Sequence, residues 1–460
     1  MRRTPRVLIV SNRLPLSRAS AERGARWQSS PGGLVTAMTP VFRAHRGAWI
    51  GWTGTAGRVT RPFDHDGLRI LPISLSRADV EDFYQGMSNK TLWPLYHDAI
   101  RSPEFHRSWW DAYVRVNRRF AARVAREARP SDLVWIHDYH LQLVPAMLRA
   151  LRPGLRIGFF LHIPFPPEEL FEWLPWRRQI LEGLLGADVV GFQTGPAARN
   201  FSRSARQHTD ADGTDSELEY EGRRVRVAAF PISIDFDWFE SQAALPETAA
   251  RAAEIRAGIG PERKVLLAVD RLDYTKGIRE RLEAFEELLE DGAISAENCV
   301  LIQLGVPTRD AVPDYAELRT SVERVVGRIN GTFSSPGRVA VHFFRRNLPR
   351  EELVAYYAAA DVMLVTPLRD GMNLVAKEYV ATRSDLSGVL VLSEFAGAAR
   401  ELRRALIVNP RDLDQMKSTI ARSLRLRPAD ARQRMAIMRT VVRRHDVHEW
   451  AGSFLSELRA

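Results

Sequence analysis

The feature that most constrains the fold is a repeated alternation of short, uninterrupted apolar runs with helical patterns. Apolar runs predict strands at "RVLIVSNR" (6–13), "LVWIHD" (133–138), "RIGFFLHIP" (156–164) and "ADVVGFQT" (187–194). Helical patterns such as "HLQLVPAMLRAL" and "WRRQILEGLLG" lie between them. A strand that is apolar along its whole length is buried on both faces, which is typical of a parallel sheet covered by helices. The pattern therefore predicts an α/β fold with a doubly wound sheet.

A second series of the same kind begins at "KVLLAVDRLD" (264–273) and continues through "CVLIQLGVP", "VAVHFF", "DVMLVTPL", "GVLVLSEF" and "ALIVNP". Between the two series, "VRVAAFPISID" (225–235) predicts one more strand, whereas the polar stretch at 203–225 is interpreted as a surface excursion. We therefore expect two doubly wound domains, 1–240 and 241–442, facing a central cleft. Ligands of such sheets bind beyond the carboxyl ends of the strands, so residues just after strands are the candidates for function.

Charge and composition exclude several classes of protein. The 460 residues carry a net charge of +10, which first suggests a polyanion as partner. Most arginines stand beside acids, as in "GIRERLEAFEELLED", and this mixing is typical of solvated helix faces. Cys299 is the only cysteine, which excludes an intrachain disulfide and a multi-thiolate metal site. The apolar run Val7–Val10 is shorter than the roughly 7–15 residues of a secretory signal, so we expect a cytoplasmic protein without nucleic acid or membrane as partner.

The stretch "VTPLRDGMNLVAKEYVA" (365–381) is the richest in candidate functional residues. It predicts a strand, a glycine loop and a helix starting near Met372, whose free N–H groups make an anion site. Asp370 and Glu378 are eight residues apart, which in a helix corresponds to about 12 Å and to directions within about 80° of each other. That spacing suits a ligand with a diphosphate between two sugars. The alternative is an Asp N-cap followed by an ordinary helical Glu, and the stretch alone does not decide.

A second candidate, "VDRLDYTKG" (269–277), follows the first strand of the second series. Arg271 offers a bidentate fork and Lys276 a point charge, and together they are suited to clamp a phosphate. The alternative is a surface loop in which both pair with Asp270 and Asp273.

Three polar residues at two strand ends raise the question of a metal. Asp138 and His140 lie in "HDYH" and His162 in "FFLHIPFP", but no further regular ligand spacing accompanies them, so we predict no metal site.

Loops near the N-terminus combine arginine, glycine and aromatic residues. Gly32 and Gly33 in "SPGGL" lack a Cβ, which lets the backbone approach a phosphate. Tyr84 and Trp93 in "DFYQGMSNKTLWP" are suited to line a sugar pocket, although core packing is the commoner role of such rings.

Taken together, the motifs are far more specific than any one of them. In order along the chain stand "SNRLP", "GGL", "WIGWTG", "LWP", "WIHDYHL", "GFFLHIPFP", "LPWR", "GADVVGFQT", "VDRLDYTKGI", "VGRINGTF", "VTPLRDGMNLVAKEYVA" and "VLSEFAGAA". Across nearly its whole length the chain resembles the trehalose-6-phosphate synthases, retaining glycosyltransferase family 20. The resemblance implies a GT-B fold with two Rossmann-like domains, the C-terminal helix at about 443–460 packing back on the first.

The resemblance also implies an activity and its site. Glucose would pass from UDP-, GDP- or ADP-glucose to glucose 6-phosphate, with retention, no cofactor and no metal, giving α,α-trehalose 6-phosphate. The implied acceptor-binding residues are Arg13, Trp49, Tyr84, Trp93, Asp138 and Arg309. The implied donor-binding residues are Gly32, Gly33, His162, Arg271, Lys276, Asp370, Gly371, Met372, Asn373, Leu374 and Glu378. Of these, Asp138, His162, Arg271, Lys276 and Asp370 are the implied catalytic residues.

Some questions stay open at this stage. The segment "HFFRRNLPREEL" (342–353) does not map onto the family's base-binding pattern, so the nucleobase of the donor is undecided, and the sequence leaves open a homo-oligomer. The alternatives are a sister enzyme with another phosphorylated acceptor, such as a glucosylglycerol-phosphate synthase, and an inactive regulatory homologue.

Overall fold

The structure is a computed structural model that describes residues 6–18, 27–29, 38, 47–57, 60–308 and 313–460. The chain divides into two compact units, Met1–Ile232 with Val447–Ala460, and Ser233–Asp446. Each unit contains its own mainly parallel sheet, so the predicted class of two doubly wound α/β units is confirmed. Among the described helices, none is long and apolar enough to cross a membrane.

The first unit is built on a ten-stranded sheet. Its strands are β1 (Val7–Arg13), β4 (Gly47–Trp52), β5 (Phe63–His65), β6 (Leu68–Ile73), β7 (Leu133–His137), β8 (Arg156–Phe160), β9 (Val189–Phe192), β10 (Asp212–Gly213), β11 (Glu217–Tyr220) and β12 (Arg223–Ala229). A separate antiparallel pair is formed by β2 (Leu16–Arg18) and β3 (Trp27–Ser29). The spatial order is β10-β11-β12-β9-β8-β7-β1-β4-β6-β5. From β1 the chain winds outward through β4 and β6, then returns to β7 on the other side of β1. The loops after β1 and β7 therefore flank a topological switch point, where ligands of such sheets bind.

Helices cover this sheet and connect its strands. They are Arg77–Asp79, continued by the π-type segment Val80–Leu92 and by Trp93–Tyr96, then Arg107–Glu127, Tyr139–Leu141, Val144–Leu151, Glu168–Phe171, Arg177–Leu185, Gly195–His208 and Val447–Arg459. The last of these helices packs on the sheet through Phe454, for which Gly158 and Gly191 leave the space. A Cβ on Gly158 would lie 2.6 Å from the Phe454 ring, and one on Gly191 would lie 2.8 Å from it.

The stretch at 203–225 differs from its interpretation as a surface excursion. Its first residues complete the helix Gly195–His208, and β10 and β11 then extend the sheet as antiparallel neighbours of β12. Alternation of exposed and buried side chains around Leu218, which is fully buried, makes this a half-buried edge. Such an edge lacks the continuous apolar run that predicts a buried strand.

The second unit contains a six-stranded parallel sheet. Its strands are β13 (Lys264–Arg271), β14 (Cys299–Val306), β15 (Val341–Phe344), β16 (Val362–Val365), β17 (Val389–Ser393) and β18 (Leu406–Val408), in the order β15-β14-β13-β16-β17-β18. Its helices are Phe236–Ala243, Pro246–Ile259, Tyr274–Lys276, Ile278–Glu290, Pro313–Phe333, Arg350–Ala359, Leu374–Thr382, Gly397–Arg400, Leu413–Leu424 and Pro428–Arg444. The winding again reverses, here between β13 and β16, so the loops after these two strands define the second switch point.

Candidate active site

The first unit presents Arg13 at the end of β1. Ser11 fixes the backbone there, because its hydroxyl donates to the carbonyl of Arg13 at 2.6 Å and accepts from the indole N–H of Trp49 at 2.6 Å. Trp49 lies in a central strand and is only 1% exposed. The ring of Trp49 is therefore part of the core, and its indole N–H supports the backbone of Arg13 through Ser11.

The guanidinium of Arg13 is held between two aromatic rings. Its central carbon lies 4.3 Å from the centroid of Trp52 and 5.4 Å from that of Tyr84. Gly54, at φ +91°, leaves the space for this group, since a Cβ there would lie 1.8 Å from Arg13 Nη1. Stacking orients the charge while leaving its N–H groups available to an anion. Arg13 is exposed, so it is placed to meet a phosphate.

Tyr84 and Trp93 are joined by a continuous series of rings. Tyr84 stacks on His140 at 5.9 Å, His140 lies 3.9 Å from Tyr139, and Tyr139 lies 5.7 Å from Trp93. The π-type segment carries Tyr84 into this series, in line with the frequent occurrence of π-bulges at functional sites. Tyr84 is partly exposed, whereas Trp93 is only 3% exposed. Of these two rings, Tyr84 is the more exposed.

Asp138 follows β7 in a backbone conformation that is unusual for a residue with a side chain. Its φ is +76°, and its N–H donates to the carbonyl of Phe160 at 2.8 Å. Its carboxylate accepts the N–H of His162 at 3.3 Å. Such conformations cost of order 1–3 kcal/mol and cluster at functional sites. The loops after β7 and β8 are thereby locked to each other.

His162 is a partly exposed ring backed by a fully buried one. Its Nε2 lies 3.0 Å from Nδ1 of His137. Burial lowers the pKa of His162 to about 3 and that of His137 well below its usual value. Both rings are therefore neutral near pH 7.

In the second unit, the switch point brings Lys276 and Asp370 together. The ammonium of Lys276 donates to a carboxylate oxygen of Asp370 at 2.6 Å. Lys276 ends a short helical turn held by Asp273, whose carboxylate accepts the N–H and the hydroxyl of Thr275. The following Gly277, at φ +61°, passes so close to β16 that a Cβ would lie 2.2 Å from the carbonyl oxygen of Thr366. The cation and the carboxylate predicted from separate motifs thus form one cluster.

The loop after Asp370 differs from the expected helix start near Met372. The helix begins at Leu374, and its N-cap is Asn373, at φ +82°, whose side chain accepts from the N–H of Ala376. Asn tolerates this left-handed region better than most residues, and its amide also donates to Asp370 at 3.1 Å. Asp370 is therefore neither the cap nor part of the helix. It lies on the loop ahead of the helix N-terminus.

A second glycine motif holds this loop from the other side. The N–H of Gly397 donates to the carbonyl of Asp370 at 3.2 Å, and that of Ala398 donates to the carbonyl of Met372 at 2.9 Å. A Cβ on Gly397 would lie 2.0 Å from the carbonyl oxygen of Gly371. Gly371 and Met372 are buried, and Leu374 is partly exposed. The "VLSEFAGAA" motif is thereby explained as the segment that fixes the loop's shape.

Glu378 is anchored within the helix that follows. Its carboxylate accepts the hydroxyl of Tyr357 at 2.8 Å. Burial raises the pKa of Glu378, and the hydrogen bond from Tyr357 and the charge of Arg350 act in the opposite direction. Arg350 in turn lies with its guanidinium carbon 3.5 Å from the centroid of Trp238. The carboxylate is held in one orientation, as recognition of a diol requires.

A buried ion pair supports the base of the same cluster. Arg271, at the end of β13, is exposed, whereas the neighbouring Asp270 is buried and accepts from Arg281 at 2.7 Å. Arg281, which is 0% exposed, also donates to the carbonyls of Leu364 and Lys276. It therefore ties β13, β16 and the lysine turn together.

Three predicted site residues lie outside the described residues: Gly32, Gly33 and Arg309. In the described part of the chain, one group of three side chains has ligand atoms close enough for a metal ion, namely Glu168, Glu172 and His208. It includes none of the predicted site residues.

Several supporting residues were not predicted from the sequence, among them Ser11, His137, Tyr357 and Gly397. Ser11, His137 and Gly397 stand inside quoted motifs, so the motifs pointed to them without a role. Tyr357 lies in an ordinary helical pattern, "ELVAYYAAAD", which carries no signal for its contact with Glu378.

One unit has an aromatic-stacked cation at its switch point, and the other has an ion pair on the loop ahead of a helix N-terminus at its switch point. The model of glycosyltransferase family 20 matches residues 5–460. The chain belongs to glycosyltransferase family 20, it has that family's GT-B fold, and the resemblance stated above is confirmed.

Particular relatives and solved structures are similar over nearly the whole chain. A trehalose-6-phosphate synthase of Mycobacterium sp. (strain KMS) is 53% identical over 461 residues, which cover 98% of this chain and 94% of the relative. An α,α-trehalose-phosphate synthase (UDP-forming) from Burkholderia xenovorans, in complex with glucose-6-phosphate, has 36% identity and a TM-score of 0.91, covering 99% of this chain and 100% of the other. An E. coli structure described as bound with UDP-2-fluoro glucose has 35% identity and a TM-score of 0.88, with 98% of each chain covered.

Proposed function

We propose that this glycosyltransferase moves glucose from UDP-glucose to glucose 6-phosphate, giving α,α-trehalose 6-phosphate. The observation that carries the proposal is the contact of Lys276 with Asp370 beside the N-terminus of the helix Leu374–Thr382. An ammonium and free N–H groups suit a diphosphate, and a carboxylate suits sugar hydroxyls. Relatives named as UDP-forming synthases support uridine as the donor base.

Binding of the donor would break the ion pair of Lys276 and Asp370 and give each of them a contact with the donor instead. Its diphosphate takes the ammonium of Lys276, together with Arg271 and the loop N–H groups after Gly371. Asp370 is thereby released to accept hydroxyls of the glucose. Glu378, already oriented by Tyr357, takes the ribose hydroxyls.

The acceptor would occupy the first unit. Arg13 binds the phosphate of glucose 6-phosphate, and Tyr84 covers the sugar. Asp138 orients the attacking hydroxyl, while His162 contacts the glucose of the donor. Gly32, Gly33, Trp93 and Arg309 keep their predicted roles as part of this proposal, with Trp49 acting through Ser11.

The chemistry requires charge stabilisation on the leaving diphosphate. As the bond from glucose lengthens, negative charge grows on the phosphate, where Lys276, Arg271 and the helix N-terminus are fixed positive groups. We propose that the leaving phosphate takes the proton of the attacking hydroxyl on the same face, which retains the anomeric configuration. No metal is part of this scheme, so activity should persist in excess chelator.

The test is identification of the product. The protein is incubated with glucose 6-phosphate and, separately, with UDP-, GDP- and ADP-glucose, and the product is analysed by NMR. The proposal expects α,α-linked trehalose 6-phosphate, with UDP-glucose as the best donor. Activity only when glycerol 3-phosphate is supplied instead of glucose 6-phosphate would overturn the proposed acceptor. A higher rate with GDP- or ADP-glucose would overturn the proposed nucleobase. Absence of nucleotide release with every donor and acceptor pair would refute the proposal.

A further inference from the structure

A buried histidine lies behind His162, and the proposed reaction gives it no role. His137 is 0% exposed, and its Nδ1 lies 3.0 Å from Nε2 of the partly exposed His162. Burial lowers the pKa of both rings. Each neutral imidazole carries one N–H, and only one proton can lie between the two facing nitrogens. One ring therefore donates in this contact and the other accepts.

The surroundings of His137 decide which ring donates. Its other nitrogen, Nε2, is buried and has no hydrogen-bond partner among the described residues. The ring of Trp135 lies 4.8 Å from that of His137, and Trp450 packs on Trp135 at 5.0 Å. Each of these indoles has a buried N–H without an acceptor among the described residues. A proton on Nε2 of His137 would add a third unpaired donor to this cluster. An unpaired buried N–H is rarer in proteins than an under-used acceptor, so the proton belongs on Nδ1.

We propose that His137 is a positioning residue that fixes His162 as the tautomer protonated on Nδ1. This inference rests on the proposed function. Its consequence is that His162 donates a hydrogen bond to a hydroxyl oxygen of the donor glucose. Its Nε2 is occupied by the proton of His137, so Nδ1–H is the ring's remaining polar group.

The main chain around His162 is already fixed on both sides. Its N–H donates to Asp138 at 3.3 Å, and its carbonyl accepts from the side chain of Gln193 at 3.4 Å. What remains is rotation of the ring and choice of tautomer, and the contact with His137 restricts both. Because the ring donates, the bound hydroxyl keeps its own proton for another acceptor in the site.

Two substitutions at His137 separate the hydrogen bond from packing. His137→Phe keeps an aromatic ring of similar size without the N–H, and His137→Asn places an amide N–H near the former Nδ1. We expect His137→Phe to lower kcat/KM for the donor by about 10-fold or more, as loss of one buried hydrogen bond does, with the acceptor KM little changed. We expect His137→Asn to recover most of that loss. An Asn variant as poor as the Phe variant, or a Phe variant with wild-type kcat/KM, overturns the proposal.

A panel of monodeoxy-glucose donors tests the contact with the substrate. For the donor that lacks the hydroxyl bound by His162, the Phe variant and the wild type should become equal within about twofold, because the variant has no further bond to lose. The same deficit with every donor of the panel overturns the contact.

The tautomer itself can be observed without turnover. In protein labelled with ¹⁵N-histidine, ring nitrogens that carry a proton are distinguished by NMR from those that do not, and His137→Asn and His162→Gln assign the signals. We expect protonated Nδ1 and bare Nε2 on His162 in the free enzyme, and the reverse pattern refutes the assignment. If no donor is turned over, the proposed function fails while this readout still decides the tautomer.

Discussion

Acid should destabilise the first unit through His162, by an amount that the structure allows us to calculate. Burial holds the pKa of this ring at about 3 in the folded protein, whereas its ordinary value is 6.5. The unfolded chain therefore binds a proton first as the pH falls. The stability contributed by the neutral ring is complete above pH 6.5 and is lost progressively between about pH 6.5 and pH 3.

The size of the effect between pH 8 and pH 5 follows from the proton count. Over this interval the unfolded ring takes up nearly a full proton and the folded ring almost none, which corresponds to about 2 kcal/mol. Because the ring of His162 is partly exposed, about 2 kcal/mol is an upper figure.

The assay is denaturant unfolding followed by tryptophan fluorescence at the two pH values. Of the 11 tryptophans, only Trp238 belongs to the second unit, so the signal reports the first unit. His162→Gln removes the titrating ring and keeps a polar atom to accept the N–H of His137. We expect the variant to lose about 2 kcal/mol less stability than the wild type on going from pH 8 to pH 5.

The matched control is His448→Gln, which removes an exposed histidine of the same unit. The control leaves the ring of His162 in place, so it should keep the pH dependence of the wild type. Equal losses in the wild type and in His162→Gln would refute the claim that the buried neutral ring opposes acid.

Three further outcomes are expected. Lys276→Ala should lower kcat/KM by at least about 10²–10³, measured with saturating acceptor, and near wild-type turnover would remove Lys276 from the phosphate clamp. Gly54→Ala should raise the KM for the acceptor, because a Cβ at this position would lie 1.8 Å from the guanidinium of Arg13. Gly57→Ala is the control, since Gly57 also has a positive φ but lies in open space, so this substitution introduces backbone strain without the steric contact. Asp270→Asn should destabilise the second unit by about 3–5 kcal/mol in unfolding followed by circular dichroism, since it leaves a buried guanidinium without its counter-charge; an unchanged transition would contradict this.

Most of the parallel strands were predictable because burial on both faces gives them a continuous apolar run in the sequence, although the parallel strands β4 and β6 were not predicted. "KVLLAVDRLD" predicts β13 in this way, and the observed strand ends at Arg271. The short strands of the edges, such as β5 and β11, lack this signal because they are half exposed, and their positions depend on the turns that pair them. The helix start at Leu374 was missed by two residues because the left-handed backbone of Asn373 is set by the loop, not by helix propensity.

The site was predictable to the extent that its chemistry lies in consecutive residues. Lys276 and Asp370 were found separately from their motifs, but their contact depends on β13 and β16 being neighbours in the sheet. Tyr357 contacts Glu378 and His137 contacts His162, and in both pairs the partners are more than 20 residues apart in the sequence. Hydrophobic periodicity does not predict such pairs. The burial of Trp49 was not predicted for the same reason: the position of its strand within the sheet decides it.

The return of the helix Val447–Arg459 to the first unit has a consequence for biosynthesis. Phe454 fills the space above Gly158 and Gly191, about 260 residues or more after the strands that carry them. During translation the second unit, contained within Ser233–Asp446, is complete while the sheet of the first unit still lacks this cover. The first unit to be synthesised should therefore be the last to mature, and until residue 454 leaves the ribosome its apolar sheet surface is a ready target for chaperones.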